Sequence, residues 1–146
     1  MSTTNFTTTV LVDAPAAAVY KAINTVAGWW QGEITGSAMQ VNDEFTYSML
    51  PYHVSKQVVL ELIPNKRIVW LVTASELSFI SKKDEWTGTK LCFDITTKGN
   101  QTQVQFTHEG LTNDIECYEA CSSGWSGLIQ KSLTAFIATG KGVEVF

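Results

Sequence analysis

The sequence predicts an α+β fold in which a curved antiparallel sheet wraps around one long C-terminal helix. Two observations predict it: an amphipathic stretch from Asn113 to Thr139 and, before it, several short segments in which apolar and polar residues alternate. One-sided alternation is typical of an antiparallel sheet with one packed face and one solvated face. We therefore expect a sheet of about six or seven strands, with two short helices after the first strand.

The C-terminal stretch has one broad apolar face at a helical period of about 100° per residue. That face is centred on Trp125 and includes Tyr118, Cys121, Leu128, Ile129 and Phe136. Asn113 is a candidate N-cap with Glu116 three residues later, and Gly140 ends the helix. A helix of about 26 residues is roughly 39 Å long, so an equally long partner has to lie beneath it.

The residues before the C-terminal stretch are predicted to form, in chain order, one strand, two short helices and the remaining strands of the sheet. Phe6 to Val12 is the first strand, Asp13 is a candidate N-cap for a short helix at Ala16 to Ile23, and a second short helical piece ends at Gly28 to Trp30. The later strands are expected to turn these side chains toward the helix: Phe45, Tyr47, Met49, Tyr52, Val54, Val58, Leu60, Leu62, Leu91, Phe93, Ile95, Val104, Phe106 and His108. His53 falls in the polar phase and is predicted to be solvated.

Composition limits the classes of function. The chain has 146 residues, of which 45% are hydrophobic and 16% charged, as expected for a single domain over residues 1–146. The net charge of −4, without a basic cluster, argues against nucleic acid or an anionic membrane as partner. No apolar run is long enough for a membrane span. Three cysteines and a stretch Met1 to Thr9 without signal-peptide features predict a cytoplasmic protein.

Several short motifs, in this order and spacing, resemble the START-like, or SRPBCC, superfamily of Bet v 1-like proteins. They are VDAPAAAVYKAI (Val12 to Ile23), GWW (Gly28 to Trp30), ELIPNKRIVW (Glu61 to Trp70), EWTGT (Glu85 to Thr89), THEGL (Thr107 to Leu111), ECYEAC (Glu116 to Cys121) and TGKG (Thr139 to Gly142). Within the superfamily the chain is similar to single-domain proteins of the type of the activator of heat-shock-protein-90 ATPase.

The resemblance implies a helix-grip fold with a cavity between the sheet and the C-terminal helix. Members of the superfamily bind lipids and other hydrophobic ligands, cyclise polyketides or serve as co-chaperone modules, so the fold does not fix the function. This chain has Val41, Asn42 and Asp43 where many relatives have paired glycines. That loop is expected at the mouth of the cavity.

Large side chains on the predicted inward faces of the sheet and the C-terminal helix are the candidates for lining this cavity. Tyr47 and Tyr118 stand out because a buried hydroxyl needs a partner that a ligand can supply. The predicted ligand-binding set is Tyr47, Trp70, Phe93, Phe106, His108, Tyr118, Cys121, Trp125 and Ile129. The alternative is that these residues fill a solid core.

His108 is the titratable group most open to a chemical role. An inward histidine can act as acid or base, bind a ligand or coordinate a metal, whereas a neutral histidine hydrogen-bonded to the backbone is the commoner outcome. Cys117 and Cys121 lie four residues apart and are conceivable zinc ligands with His108, but no fourth ligand accompanies them, so neither metal nor cofactor is predicted. Glu85 is interpreted as a surface or capping group.

Three functions are compatible with these residues. The favoured one is non-catalytic binding or carriage of a small hydrophobic molecule between sheet and helix. The second is a protein-interaction module with a chaperone or another protein partner, for which Trp29, Trp30, Leu77 and Phe79 are the candidate surface. The third is a cyclase-type or hydrolase-type enzyme that uses His108 with a pocket tyrosine, either Tyr47 or Tyr118.

Overall fold

The computed structural model describes residues 4–145, so the first three residues of the stretch Met1 to Thr9 and the terminal Phe146 lie outside it. The strands are β1 (Phe6–Val12), β2 (Glu33–Gly36), β3 (Glu44–Met49), β4 (His53–Ile63), β5 (Arg67–Leu77), β6 (Lys90–Lys98) and β7 (Gln101–Glu109). The helical segments are α1 (Ala16–Asn24), a 3₁₀ turn (Val26–Gly28), α2 (Tyr118–Gly127), a π-helical turn (Leu128–Leu133) and α3 (Thr134–Thr139).

These seven strands form one antiparallel sheet with the order β1-β7-β6-β5-β4-β3-β2. The first strand pairs with the last, from Phe6 opposite His108 to Val12 opposite Thr102, which brings the start of the chain beside the strand that precedes the C-terminal helix. The sheet packs one face on that helix, so the predicted α+β architecture is confirmed.

The inward phase of β4 differs from the prediction. Ser55, Gln57 and Val59 are buried, whereas Leu60 is exposed. The pairing of β4 with β5 shifts between Lys56 and Gln57 and again between Val59 and Glu61. Such bulges add an unpaired residue and bend the strand. The extra residue is Thr73 of β5 at the first shift and Leu60 of β4 at the second. The alternation of β4 therefore reverses at Leu60, so the phase set by Val54, Val58 and Leu60 was wrong.

The C-terminal helix covers residues 118–139 instead of the predicted Asn113 to Thr139. Glu116 precedes the helix, and its carboxylate accepts hydrogen bonds from the backbone amides of Ser81 and Lys82, so the predicted capping of the helix by Asn113 and Glu116 is wrong. Gly140 ends the helix as predicted, in a left-handed conformation with φ of 84°.

Helix α1 begins at Ala16, as predicted, but the predicted cap by Asp13 is wrong. It starts after Pro15, without a side-chain cap, and the carboxylate of Asp13 accepts a hydrogen bond of 2.9 Å from the side-chain amide of Gln101. Asp13 therefore links the start of α1 to β7 and is not the N-cap. Within residues 4–145 there is no helix both long and apolar enough to cross a lipid bilayer.

Candidate ligand-binding cavity

A cavity of about 240 Å³ lies between the sheet and the C-terminal helix. One wall comes from residues 78–89, which connect β5 to β6 and which we call the lid segment. The main lining residues are Tyr47 and Met49 of β3, His53 of β4, Phe79 and Trp86 of the lid segment, and Cys121, Gly124, Trp125 and Leu128 of the helix. The cavity has the volume of about eight liquid waters, so it is suited to a small ligand.

Two glutamates hold the lid segment to the start of the C-terminal helix. The carboxylate of Glu85 accepts hydrogen bonds from the backbone amides of Glu116 at 2.9 Å and Cys117 at 3.0 Å. In return the carboxylate of Glu116 accepts from the amides of Ser81 at 2.9 Å and Lys82 at 3.3 Å, and these bonds lower its pKa. Glu85 is thus a capping group, one of the two roles that the sequence left open, and it caps from outside the helix.

The other end of the lid segment is attached to the turn between β3 and β4. The amide of Ser78 donates to the carbonyl of Tyr52 at 3.0 Å, and the Ser78 hydroxyl donates to the carbonyl of Pro51 at 2.6 Å. Tyr52 and Phe79 both reach the cavity and are 59% and 45% exposed. The mouth of the cavity therefore lies between this turn and the lid segment.

Aromatic rings form the deeper walls. Trp86 and Trp125 lie nearly parallel, with centroids 5.7 Å apart and planes 14° apart. Trp30 stacks on Tyr47 at 4.4 Å and packs against Trp125 at 5.0 Å. Trp30, Tyr47, Trp86 and Trp125 are all at least 96% buried. A ligand in the cavity meets flat apolar surfaces on more than one side.

Tyr47 and His53 introduce polar groups into this largely apolar lining. Tyr47 is buried, and its hydroxyl donates to the sulfur of Met49 at a distance of 3.8 Å, which makes a weak bond. Burial raises the pKa of Tyr47 to about 12, against a smaller opposing effect of Trp30. Burial lowers the pKa of His53 to about 4, so His53 is neutral near pH 7. The ring of His53 contacts Tyr47 and Trp86 edge-on, at 4.9 and 4.5 Å.

His108 lies behind the cavity wall and is fully buried. Its Nδ1 accepts a 3.0 Å hydrogen bond from the indole N–H of Trp125, and its Nε2 lies 2.8 Å from the hydroxyl of Thr89. Because an indole nitrogen only donates, the proton of His108 must be on Nε2 and is donated to Thr89. The hydroxyl of Thr89 in turn donates a hydrogen bond to the carbonyl of Trp86 at 2.5 Å. Burial, and to a lesser degree His53, lowers the pKa of His108 to about 3.

This arrangement makes His108 a positioning residue. It is inward and neutral, as expected, but its partners are side chains and not the backbone. If Nδ1 of His108 were protonated, its N–H would face the indole N–H of Trp125, and the hydrogen bond between them would be lost. Both nitrogens are occupied in fixing the tryptophans of the cavity wall, so the geometry does not favour the enzyme hypothesis that uses His108 as acid or base.

The three cysteines are free and buried. The indole N–H of Trp86 points to the sulfur of Cys121 at 3.3 Å. A hydrogen bond with Cys121, together with burial, raises the pKa of the Cys117 thiol. Neutral thiols are poor metal ligands and poor nucleophiles. Within residues 4–145, no three His, Cys, Asp or Glu side chains are grouped as a metal site requires.

The structure brings three of the nine predicted ligand-binding residues to the cavity surface: Tyr47, Cys121 and Trp125. The other six, Trp70, Phe93, Phe106, His108, Tyr118 and Ile129, do not line it. Phe106 packs behind Trp125, with ring centroids 4.5 Å apart, and Trp70 packs against Phe45 and Phe93 at 5.0 Å. These side chains support the walls from the core.

Nine of the twelve lining residues were absent from the predicted ligand-binding set, and His53 and Trp86 are the most informative of them. His53 was assigned to solvent, and the structure places it in the cavity wall because the bulge at Leu60 gives residues 53–59 of β4 the opposite phase from Leu62. The apolar Val59, out of step with Val58 and Leu60, was the available signal. Trp86 follows Glu85 in the lid segment, where no periodicity exists, and only its large apolar ring pointed to burial.

The loop at Val41 to Asp43 was expected at the cavity mouth and is not there, because the mouth lies at the opposite end of β3, next to Met49. Asn42 adopts a φ of 76°, a conformation that glycine and asparagine tolerate best. The predicted interaction surface is also largely absent. Trp29, Trp30 and Leu77 are buried, and Phe79 alone of the four is exposed.

A second depression, of about 460 Å³, lies near the start of α1 and the β6–β7 turn. It is lined by exposed loop residues such as Asp13, Gly99 and Asn100. A wide, polar and open surface of this kind suits solvent better than an apolar ligand. The cavity beneath the lid segment is the better candidate site.

Comparison with known families agrees with this architecture. The model of the family described as "Activator of Hsp90 ATPase homolog 1-like protein" matches residues 13–138. The chain belongs to this family. The match spans every element from α1 to α3, including the lid segment and the lining part of the C-terminal helix.

Solved structures extend the comparison of this family member. The solution structure of the Aha1 dimer from Colwellia psychrerythraea is 26% identical, with a TM-score of 0.76, and the match covers 95% of this chain and 99% of that one. Protein MLL2253 from Mesorhizobium loti is 16% identical, with a TM-score of 0.69 and coverage of 94% and 99%.

DynU16, from the dynemicin biosynthetic locus, is 16% identical, with a TM-score of 0.67. The match covers 93% of this chain and 48% of DynU16. At this identity the likeness concerns the fold alone. A comparison with curated proteins gives no match.

Proposed function

We propose that the protein binds a small hydrophobic molecule in the cavity between the sheet and the C-terminal helix, without transforming it. The observation that carries the proposal is the cavity of about 240 Å³, open at a mouth beside the lid segment and walled by aromatic rings. Burying the apolar surface of a ligand against these rings is favourable by about 25 cal/mol for each Å² removed from water.

The state of the nearby titratable groups supports binding without catalysis. His53, Tyr47 and His108 are all neutral near pH 7, and both nitrogens of His108 are engaged. A general acid or base works best with a pKa near the working pH, and burial moves these groups away from it. The buried free cysteines support the accompanying proposal of a reducing, cytoplasmic location.

Ligand-induced thermal stabilisation tests the proposal. A panel of lipids, sterols, aromatic compounds and polyketides is screened for a rise in Tm. A ligand at about 100 times its Kd stabilises the folded state by about 2.7 kcal/mol, which is a shift of roughly 5–10 °C for a chain of this size. A panel without any shift contradicts the proposal.

A cavity-filling variant locates the binding. Gly124 lies three residues after Cys121 and four before Leu128, on the helix face that lines the cavity. Gly124→Leu adds a side chain there and raises helix propensity, so it should fold and lose the ligand-induced shift. Ser123→Leu is the matched control, because Ser123 is exposed on the same helical turn. Equal shifts in both variants would place the ligand elsewhere.

A further inference from the structure

The polar groups of the cavity point to the chemistry of its ligand, an inference that rests on the proposed binding function. His53, Ser55 and Gln57 follow one another on the inward face of β4. The side-chain amide of Gln57 donates to the Ser55 hydroxyl at 2.6 Å, and the same hydroxyl lies 3.0 Å from Nε2 of His53. Ser55 and Gln57 are at most 1% exposed, so their polar atoms depend on partners within the protein, and among the described residues the side-chain oxygen of Gln57 has none.

This row of bonds fixes the tautomer of His53. The buried proton of the Ser55 hydroxyl needs an acceptor, and among the described residues Nε2 of His53 is the atom within hydrogen-bond distance of that hydroxyl that can accept it. The proton of neutral His53 is then on Nδ1. Within residues 4–145 no hydrogen bond is made by Nδ1, so His53 has a free donor at the cavity.

Tyr47 supplies a second donor to the same cavity. Its hydroxyl is buried, and its proton is directed to the thioether sulfur of Met49 at 3.8 Å, a much weaker acceptor than an oxygen. The rings of Tyr47 and His53 are in contact, with centroids 4.9 Å apart. Two under-used donors therefore sit side by side in an otherwise apolar, aromatic cavity.

We propose that the cavity selects a flat aromatic ligand that carries a carbonyl oxygen, with the oxygen accepting hydrogen bonds from Tyr47 and His53 and the rings packed against the tryptophans. Two features support this class. Nearly parallel Trp86 and Trp125 and the Trp30–Tyr47 stack favour planar apolar ligands. Two donors without a strong acceptor favour an acceptor oxygen over a hydroxyl or an amine that must donate. The small volume limits the ligand to a few fused rings.

Indane and 1-indanone form the matched pair of probes, because they share one bicyclic skeleton and differ by the carbonyl oxygen. Calorimetric titration should show that the protein binds 1-indanone roughly tenfold more tightly than indane, as expected for one or two added net hydrogen bonds. In Tyr47→Phe this ratio should fall several-fold, and His53→Phe should lower it as well. Tyr20→Phe is the control, because Tyr20 of α1 lies outside the cavity lining.

The carbonyl stretching frequency gives a readout that a general change in packing does not move. Infrared spectra of bound 1-indanone, labelled at the carbonyl carbon, should show a lower frequency in the unaltered protein than in Tyr47→Phe, since a hydrogen bond weakens the C=O bond. Tyr20→Phe should leave the frequency unchanged.

Equal affinity for the two probes overturns the assignment of ligand class, and so does a 1-indanone preference that survives both Tyr47→Phe and His53→Phe. Lack of binding by either probe, while other members of the panel bind, also overturns the class and leaves the proposed function in place. If no member of the panel binds, both proposals fail.

Discussion

His108 gives the protein a pH-dependent stability whose size follows from its surroundings. Its folded pKa of about 3 lies below the value of about 6.5 expected in the unfolded chain. As pH falls below about 6.5, the unfolded state takes up a proton that the native state refuses, so the free energy of unfolding decreases. Between pH 7 and pH 5 the loss from His108 alone is about 2 kcal/mol.

His53 also makes the free energy of unfolding decrease as pH falls, because burial lowers its pKa to about 4. Since this pKa also lies below pH 5, the same reasoning gives a loss of up to about 2 kcal/mol from His53 between pH 7 and pH 5. The chain has two histidines. Most carboxylates titrate below pH 5, so these two imidazoles dominate the window from pH 7 to pH 5.

Urea denaturation at pH 7, 6 and 5 measures the effect. The unaltered protein should lose about 2 kcal/mol or more across this range, and His108→Gln should reduce the loss by about 2 kcal/mol whatever its absolute stability. A histidine ring resonance that titrates near pH 6.5 in the native state and is absent from His108→Gln would refute the reasoning. So would a pH dependence that is identical in the two proteins.

Two further predictions concern the lid segment and the β2–β3 loop. Glu85→Ala removes the acceptor for two amides at the start of the C-terminal helix, so it should cost about 1 kcal/mol and speed amide exchange in residues 78–89. Glu119→Ala is the control with the same charge change, and equal exchange rates in the two variants would contradict the capping role. Asn42→Ala should cost about 1 kcal/mol in urea denaturation because of the positive φ. Asn42→Gly should lose less, and equal losses from both substitutions would contradict strain as the cause.

The sequence was sufficient to predict the architecture, because the apolar pattern is long and repeated. The pairings of β3, β6 and β7 with their neighbours contain no bulge, and the residues predicted to point inward from these strands pack in the core. The face of the C-terminal helix was predicted well for the same reason. Its start was not, because the helix is capped by Glu85 from a distant segment, and a local search for a cap finds Asn113 instead.

The candidate site was predicted less well than the fold. A one-dimensional pattern separates inward from outward side chains, but it does not separate a cavity wall from the layer behind it. Phe93, Phe106 and Ile129 are as buried as Trp125, and the difference lies in where the bulged sheet and the lid segment leave space. The position of the lid segment depends on hydrogen bonds between residues more than 30 apart in sequence, such as the bond from the Cys117 amide to the Glu85 carboxylate.

Intermolecular NOEs from a bound apolar probe to protein methyl groups test the location of binding most directly. The methyl groups of Met49 and Leu128 line the cavity from the sheet and from the helix, whereas Leu11 and Leu60 are exposed outside it. Binding in the cavity predicts NOEs to Met49 and Leu128 in the same complex and their loss in Gly124→Leu. NOEs confined to Leu11, Leu60 or other exposed methyl groups would contradict it.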